Sequence, residues 1–186
     1  MSKKNIGAAL ALYPCPVIVV GAMADGRPTW TLAAHAGIMA HSHLTVSLVA
    51  AHYINQGIRE TGKLSVNVVD ASWLAEADRM GTVSGHKEDK SGAFAWTMGE
   101  NGAPLIDKAK VSVECEVDGN YELERFDNFI CKITATYADE SVLNEKGKLD
   151  YHAFKPVLFE FPTYEYFVTG DKVGNCGKMN APDGQS

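Results

Sequence analysis

Short runs of β-branched and other apolar residues, separated by turn signals, constrain the fold of this chain more than any other feature. Two such runs, 16–21 and 29–34, lie on either side of Asp25-Gly26, and this pattern predicts a β-hairpin. Similar runs predict strands at 45–50, 64–69, 110–117, 129–137, 157–161 and 164–168, with a turn at 118–120. We therefore expect most of the core to be built from β-sheet.

Only two helices are predicted, and both are short. Segment 57–61 has the pattern of a helix end stopped by Gly62, and 72–81 combines Ser72 as a cap with good helix formers and Gly81 as a stop. Because strands and helices do not alternate regularly, the pattern favours a mostly antiparallel barrel with helical crossovers over a doubly wound parallel sheet. A chain of 186 residues has room for a single domain, 1–186. The stretch 85–104, rich in glycine and charge, is expected to be an irregular loop, and the tail from about residue 170 is expected to be partly irregular.

Charge and hydropathy narrow the range of partners. The chain has 17 Lys and Arg against 23 Asp and Glu, and no basic cluster exceeds the pair Lys3-Lys4, which argues against binding to nucleic acid or an anionic membrane. Its apolar runs are far shorter than the roughly 20 residues that a membrane helix needs. Pro14 and Pro16 stand where the apolar core of a signal peptide would continue. We expect a cytoplasmic protein with a small-molecule partner.

Common catalytic and metal-binding motifs are absent from the sequence. The four cysteines form no C-x-x-C pair, and His41-x-His43, with His35 nearby, lacks a neighbouring carboxylate or cysteine, so no metal site is expected. The sequence also contains no dinucleotide fingerprint, no P-loop and no G-x-S-x-G nucleophile elbow. It therefore assigns no catalytic residue.

Polar groups at the ends of predicted strands and helices form a more informative pattern. Hydroxyls occur at Thr29, Thr31 and Ser47, segment 52–55 opens a helix, and 84–90 is a glycine-containing basic loop. Hydroxyls, a helix N-terminus and a lysine are the groups that replace the hydration shell of a phosphate. The same groups are also common at element ends without any ligand, so this pattern alone leaves both interpretations open.

Taken in order, segments throughout the chain resemble a known family. They are 13–20 with 25–27, T-L-A-A-H-A-G-I at 31–38, 46–49, 52–67, 81–85 with 89–90, 103–106, 113–115, and 164–166 before Gly170. This ordered series is similar to the flavin reductase-like family, in particular its flavoredoxin branch. The resemblance implies an FMN-binding split β-barrel of Greek-key type, mostly β with short helices.

The resemblance also implies a cofactor site. In such proteins FMN is bound without a covalent bond, in a homodimer with the flavin site at the subunit interface. The strand at 29–35 would lie along the isoalloxazine ring, while segment 49–55 and Lys90 would approach the phosphate. The cofactor-binding residues implied here are Thr29, Thr31, Leu32, Ala33, Ala34, His35, Ser47, Val49, His52, Tyr53, Asn55, Ser84, Gly85 and Lys90.

This sequence departs from the family pattern at several positions. His35 stands where relatives have tryptophan, His41-Ser42-His43 replaces a D-P-P turn, and His86 stands where an arginine is frequent. Ile54 replaces a serine or threonine, so His52 or Asn55 is expected to take over the lost hydroxyl contact.

The family pattern predicts a flavin-dependent oxidoreductase that takes hydride from NAD(P)H as a transient substrate and passes electrons to a small molecule or a protein. A flavoredoxin-like electron-transfer protein that uses no pyridine nucleotide is a second expectation. The third is a non-redox binding or scaffold protein of the same fold that has lost its flavin.

Overall fold

The computed structural model describes residues 2–179, which form an antiparallel β-structure with two short α-helices. The strands are β1 Cys15–Pro16, β2 Ile18–Ala24, β3 Arg27–Ala33, β4 Ala36–Ala40, β5 His43–Val49, β6 Lys63–Val68, β7 Trp96–Met98, β8 Pro104–Ile106, β9 Val111–Leu123, β10 Phe126–Ala138, β11 Val157–Glu160 and β12 Glu165–Val168. The helices are α1 Ile54–Thr61 and α2 Leu74–Thr82, with a 3-10 helix at Glu140–Val142. The predicted mostly-β class is confirmed.

The main sheet has seven strands in the order β3-β2-β6-β9-β10-β5-β4, and every neighbouring pair is antiparallel. Strands β3 and β4 lie at opposite edges of this sheet, yet only Ala34 and His35 separate them in sequence. The sheet therefore has to curl until its two edges meet at these residues, which produces a partly closed barrel. β1, β11 and β12 form a second, three-stranded sheet.

Strand β2 is buried on both faces, which explains its nearly continuous apolar sequence. Ile18 and Val20 belong to one core cluster with Leu48, Ile58 and Phe129. The alternate residues of the chain face a second cluster: Val17 and Val19 pack with Trp30, Val69, Trp73, Met80, Phe94 and Val157. Helix α1 contributes to the first cluster, and α2 to the second, on the other side of the sheet.

The hairpin of β2 and β3 forms as predicted. Its two turn residues, Asp25 and Gly26, have positive φ angles of 49° and 75°, as a type I′ turn requires. Helix α1 ends at the predicted Gly62, which has a φ of 67° and donates its N–H to the carbonyl of Ile58. Helix α2 begins later than predicted, at Leu74, because the Ser72 hydroxyl bonds to Asp70 instead of capping the helix.

Two sequence predictions in the second half are wrong. Residues 118–120 are not a turn but lie inside β9, which continues to Leu123; the turn follows at Glu124, whose φ is 54°. The pairing of β9 with β10 shifts between Ile130 and Cys131, so Asp118 is the extra residue of a β-bulge. An Asp-Gly pair suits a bulge as well as a turn. The stretch 85–104, expected to be irregular, contains β7 and the start of β8.

Within residues 2–179 no helix is long and apolar enough to cross a membrane. In the same range no group of three or more His, Cys, Asp or Glu is placed to hold a metal ion. Residues 170–179 contain neither a strand nor a helix, and the rest of the predicted tail, 180–186, lies outside the described residues.

Candidate functional site

A cleft made of two cavities that share His52 runs along β3. One end, the polar cavity, has a volume of about 190 Å³ and is lined by Thr29, Trp30, Thr31, Ala51, His52, Tyr53, Ile54, Gly81, Thr82, Val83, Ser84, Gly85 and Lys90. The other end, the ring groove, is lined by Leu32, Ala33, Ala34, His35, Ser47, Leu48, Val49, His52, Phe126, Phe159 and Phe161. His52 belongs to both and joins them.

Lys90 is the charged group of the polar cavity. Its side chain is buried, and its Nζ donates to the carbonyls of Trp30 at 3.1 Å and Met80 at 2.9 Å. Lys90 is in no ion pair with any of residues 2–179, and burial lowers its pKa, with Glu88 acting weakly in the opposite direction. An ammonium has three N–H donors, so one remains available, and a buried cation without a counter-charge is stabilised by an anionic ligand.

His52 supplies a second unsatisfied group in the same cavity. The Nδ1 atom of His52 is buried and has no hydrogen-bond partner among residues 2–179. Burial is the main cause that lowers the pKa of His52, followed by the positive charge of Lys90. A buried polar atom without a partner costs stability, and a ligand oxygen in the cavity would satisfy it. Lys90 and His52 together therefore fit a phosphate.

Ion pairs hold the loop that carries Lys90. Arg27, next to the β2–β3 turn, pairs with Asp89 at 2.6 Å, and Arg79 of α2 pairs with Glu88. Gly85 lies against the ring of Tyr53: a Cβ at this glycine would be 3.0 Å from two carbon atoms of that side chain. The loop is thus closely packed against the start of α1, and these contacts position Lys90.

The ring groove differs in chemistry from the polar cavity. Its floor is the end of β3 with the small residues Ala33 and Ala34, and its sides include Phe126 and Phe159. Small side chains allow a flat ring to approach the backbone closely, while aromatic and aliphatic side chains bury its apolar surface. The ring groove fits a flat and largely apolar ring system.

The ring groove opens into a larger space, the outer cavity, with a volume of about 490 Å³. The two share Ala34, His35, Ser47 and Phe126. The outer cavity is lined in addition by Leu10, Leu12, Tyr13, Cys15, Ala36, Gly37, Thr45, Leu123, Glu124 and Asn128. A ring bound in the groove would therefore remain accessible from this side.

The structure brings thirteen of the fourteen residues implied by the sequence to this cleft. Thr29, Thr31, His52, Tyr53, Ser84, Gly85 and Lys90 line the polar cavity, and Leu32, Ala33, Ala34, His35, Ser47 and Val49 line the ring groove. The hydroxyl of Tyr53 is directed to Asp25, to which it donates at 2.7 Å, so Tyr53 contributes its ring to the cavity wall.

Asn55 is the exception among the implied residues. Its side chain is fully buried, and its Nδ2 donates to Asp127 at 2.6 Å and to the carbonyl of Val49 at 3.1 Å. These bonds turn the amide away from the cleft and tie the start of α1 to β10. Of the two residues expected to replace the hydroxyl lost at Ile54, only His52 is therefore in position.

Sequence reasoning did not assign several groups that build the cleft. The carbonyls of Trp30 and Met80 hold Lys90, and a backbone acceptor has no signal in a sequence. Phe159 and Phe161 have the pattern of ordinary apolar strand residues, and Phe126 lies outside the predicted strand 129–137. All three reach the ring groove only because two separate sheets meet there. The position of Tyr13 before a proline-rich segment gave no indication of its contact with His35.

A cleft with a buried cation at one end and an apolar slot at the other defines a binding protein for a phosphorylated, ring-containing cofactor. Similar solved structures show to which class of protein this chain belongs. Flavoredoxin from Methanosarcina acetivorans is 31% identical, with 97% of this chain and 98% of that chain covered at a TM-score of 0.91. Flavoredoxin of Desulfovibrio vulgaris (Miyazaki F) is 30% identical, with 96% and 99% covered at 0.87.

A more distant structure shares the fold. The FMN-binding protein from Thermus thermophilus is 20% identical and superposes with a TM-score of 0.79 over 94% of this chain and 99% of that chain. The model of the flavin reductase like domain matches residues 10–165. No curated protein sequence matches the chain.

The chain belongs to the flavin reductase-like family. Its fold is the flavoredoxin-type split barrel, as the sequence predicted. It is a flavin-dependent oxidoreductase, and its cofactor is a flavin.

Proposed function

We propose that this protein binds FMN without a covalent bond, with the phosphate at Lys90 and His52. The observation that carries this proposal is the pairing of a buried lysine that has no acidic partner with a buried, unpartnered histidine nitrogen in one cavity. Two neighbouring cations are paired, Arg27 with Asp89 and Arg79 with Glu88, and Lys87 is exposed to solvent. One buried, unpaired cation suits the single phosphate of FMN better than the diphosphate of FAD.

The isoalloxazine ring would lie in the ring groove along the end of β3. Leu32 and Val49 offer apolar contact on the two sides of the groove, and the backbone at Ala33 and Ala34 is open to hydrogen bonding with the ring edge. A bound flavin supplies a centre that accepts a hydride and releases electrons singly or in pairs. The residues of this chain bind and orient that centre and leave one side of it facing the outer cavity.

The proposed donor is NAD(P)H, which enters from the outer cavity as a transient substrate. No nucleotide-binding fingerprint is needed for this, because a nicotinamide can stack directly on the exposed side of a flavin ring. The proposed acceptor is a small molecule or a protein. We place the protein in the cytoplasm, where the buried thiols of Cys115 and Cys131 remain reduced.

We further propose that the functional unit is a homodimer. Edge strand β4 pairs only with β5, and its residues Ile38 and Met39 are 92% and 55% exposed. An unpaired edge strand with apolar residues is an aggregation hazard unless another surface covers it. β4 begins directly after His35, so a second copy placed there would border the ring groove. Light scattering of the wild type and of Ile38→Lys tests this, and a wild-type monomer would contradict it.

The flavin itself provides the decisive experiment. Purified protein, stripped of cofactor, is titrated with FMN, FAD and riboflavin, and NADH and NADPH oxidation is then followed with the loaded protein. We expect FMN to bind most tightly and turnover to exceed that of free FMN. Flavin binding without pyridine nucleotide oxidation would indicate a flavoredoxin-like electron carrier. Failure to take up any flavin would overturn the proposal in favour of a non-redox binding or scaffold protein.

A further inference from the structure

The outer cavity has a polar feature at its edge, a hydrogen bond between two side chains. The Oη of Tyr13 and the Nε2 of His35 are 2.7 Å apart, and both side chains line this cavity. His35 also lines the ring groove, so the pair stands at the junction of the two spaces. A hydrogen-bonded phenol and imidazole next to a redox centre form an arrangement that can supply a proton to a substrate.

The surroundings hold this pair in place. The carbonyl of His35 accepts a hydrogen bond from the N–H of Ser47 at 2.8 Å, and the imidazole packs edge-on against Phe126. The ring of Tyr13 stacks on Phe161, with 6.4 Å between the ring centres. When Nε2 carries the proton and donates it to the phenol oxygen, the phenolic O–H is free to donate to a ligand. The pKa of Tyr13 is raised by burial above its ordinary value of 10.0, so the phenol carries its proton at neutral pH.

The remaining lining of the outer cavity selects the kind of ligand. Leu10, Leu12, Leu123 and Phe126 make most of the wall apolar, and Glu124 is the only acidic side chain among the described residues that line it. The volume of about 490 Å³ lies in the usual range for small-molecule sites. An uncharged, flat molecule with an oxygen that accepts a hydrogen bond fits these walls and the Tyr13 hydroxyl.

We propose that the outer cavity takes a quinone as the electron acceptor, with Tyr13 donating a hydrogen bond and then a proton to one quinone oxygen and His35 positioning Tyr13. This inference rests on the proposed flavin-dependent function and names the acceptor class. Two electrons and one proton leave NAD(P)H as a hydride and reach the quinone by way of the cofactor. The second proton comes from the Tyr13 O–H, and solvent returns it through His35, so quinone, NAD(P)H and H⁺ yield hydroquinone and NAD(P)⁺.

Duroquinone is the probe for this proposal, because methyl groups on all its non-carbonyl ring carbons block addition by the thiol of Cys15, which also lines the cavity. Its dissociation constant is measured by titration of the oxidised, FMN-loaded protein, where no turnover occurs. Tyr13→Phe removes only the hydroxyl, and we expect the duroquinone dissociation constant to rise about fivefold to tenfold. Tyr151→Phe, at an exposed tyrosine outside the cleft, is the matched control.

Turnover distinguishes proton donation from a general loss of activity. Ferricyanide accepts one electron and no proton, so the ratio of duroquinone to ferricyanide reduction reports the proton step. This ratio is expected to fall about tenfold or more in Tyr13→Phe. His35→Gln keeps a hydrogen-bonding side chain beside Tyr13 and should largely preserve duroquinone binding, whereas His35→Phe should weaken it.

The outcomes separate this proposal from the one on which it rests. Failure to bind any flavin overturns the proposed function, and the quinone site with it. Normal FMN binding without duroquinone binding overturns the quinone site alone. An unchanged duroquinone dissociation constant and an unchanged turnover ratio in Tyr13→Phe also overturn it.

Discussion

The two ends of the cleft differ in the interaction that each offers a ligand: the polar cavity offers a buried charge, and the ring groove offers an apolar surface. The polar cavity concentrates a buried cation, an unpartnered imidazole nitrogen and a loop held by two ion pairs. The ring groove is apolar, and it opens into a wide space with a single hydrogen-bonded pair at its edge. A buried charge without a partner makes binding strong for one chemical group, whereas an apolar slot accepts a range of flat molecules. From this comparison we expect the polar cavity to determine cofactor affinity and the apolar end to determine what the cofactor reacts with.

The largest expected effect concerns the scaffold behind the polar cavity. Asp127 is fully buried and accepts hydrogen bonds from Asn55 at 2.6 Å and Arg59 at 2.5 Å, both on α1. Asp127→Ala leaves both donors without this partner and should lower the free energy of unfolding by about 3 kcal/mol. Chemical denaturation measures this. Asp118→Ala, at an exposed aspartate of β9, should change stability by less than about 0.5 kcal/mol. Equal effects of the two variants would contradict the role of Asp127.

Replacing Lys90 tests the polar cavity directly. Lys90→Met removes the unpaired cation and should weaken FMN binding about tenfold to a hundredfold, since charge-assisted hydrogen bonds contribute roughly 1.5–3 kcal/mol. Riboflavin has no phosphate, so its affinity should stay nearly constant. Fluorescence titration gives both values, and Lys87→Met, on the same loop but exposed, is the control. An equal loss of affinity for FMN and riboflavin would place the phosphate elsewhere.

The lowered pKa of Lys90 makes the free energy of unfolding of the wild-type protein depend on pH. Below its ordinary pKa of 10.5, the unfolded chain binds this proton more readily than the folded, flavin-free protein does. The free energy of unfolding should therefore rise as the pH increases toward 10.5. Lys90→Met should lose this part of the rise, which denaturation at a series of alkaline pH values measures.

A substitution in the ring groove should weaken the binding of both FMN and riboflavin, unlike Lys90→Met. Ala34→Leu places a larger side chain on the floor of the groove and should weaken the binding of FMN and of riboflavin equally, by about tenfold, because overpacking costs about 1–3 kcal/mol. Ala75→Leu, at an exposed position of α2, is the control. A loss confined to FMN would contradict the placement of the ring along β3.

The smallest expected effect is at His52, where the two ends meet. His52→Gln keeps a hydrogen-bonding side chain and should weaken FMN binding only about threefold, less than the loss of a whole hydrogen bond of about 1 kcal/mol. A phosphate beside the imidazole would raise the pKa that burial and Lys90 now lower. FMN binding near pH 6 should therefore take up protons in the wild type and not in His52→Gln. Calorimetry in buffers of different ionisation enthalpy measures the uptake, and none in the wild type would contradict the contact.

The sequence by itself determined the local elements and the family. Alternation in β5 and β10, the Asp25-Gly26 turn and the stop at Gly62 follow from the conformational preferences of nearby residues, so they can be predicted without knowing the fold. The ordered family segments placed thirteen of fourteen implied residues at the cleft. The errors were local as well: Asp118-Gly119 suits either a turn or a bulge, and only its pairing with β10 decided between them.

The tertiary structure decided which groups face each other. The two-residue link at Ala34 and His35 curls the sheet, and this brings Phe126 and Phe159 to the ring groove and His35 to Tyr13. Asn55 carries the right chemistry for a phosphate, but the buried carboxylate of Asp127 holds it outside the cleft. The carbonyls that hold Lys90 come from β3 and α2, which are 50 residues apart at Trp30 and Met80. Contacts over such separations depend on the packing of the whole chain, which no short stretch of sequence encodes.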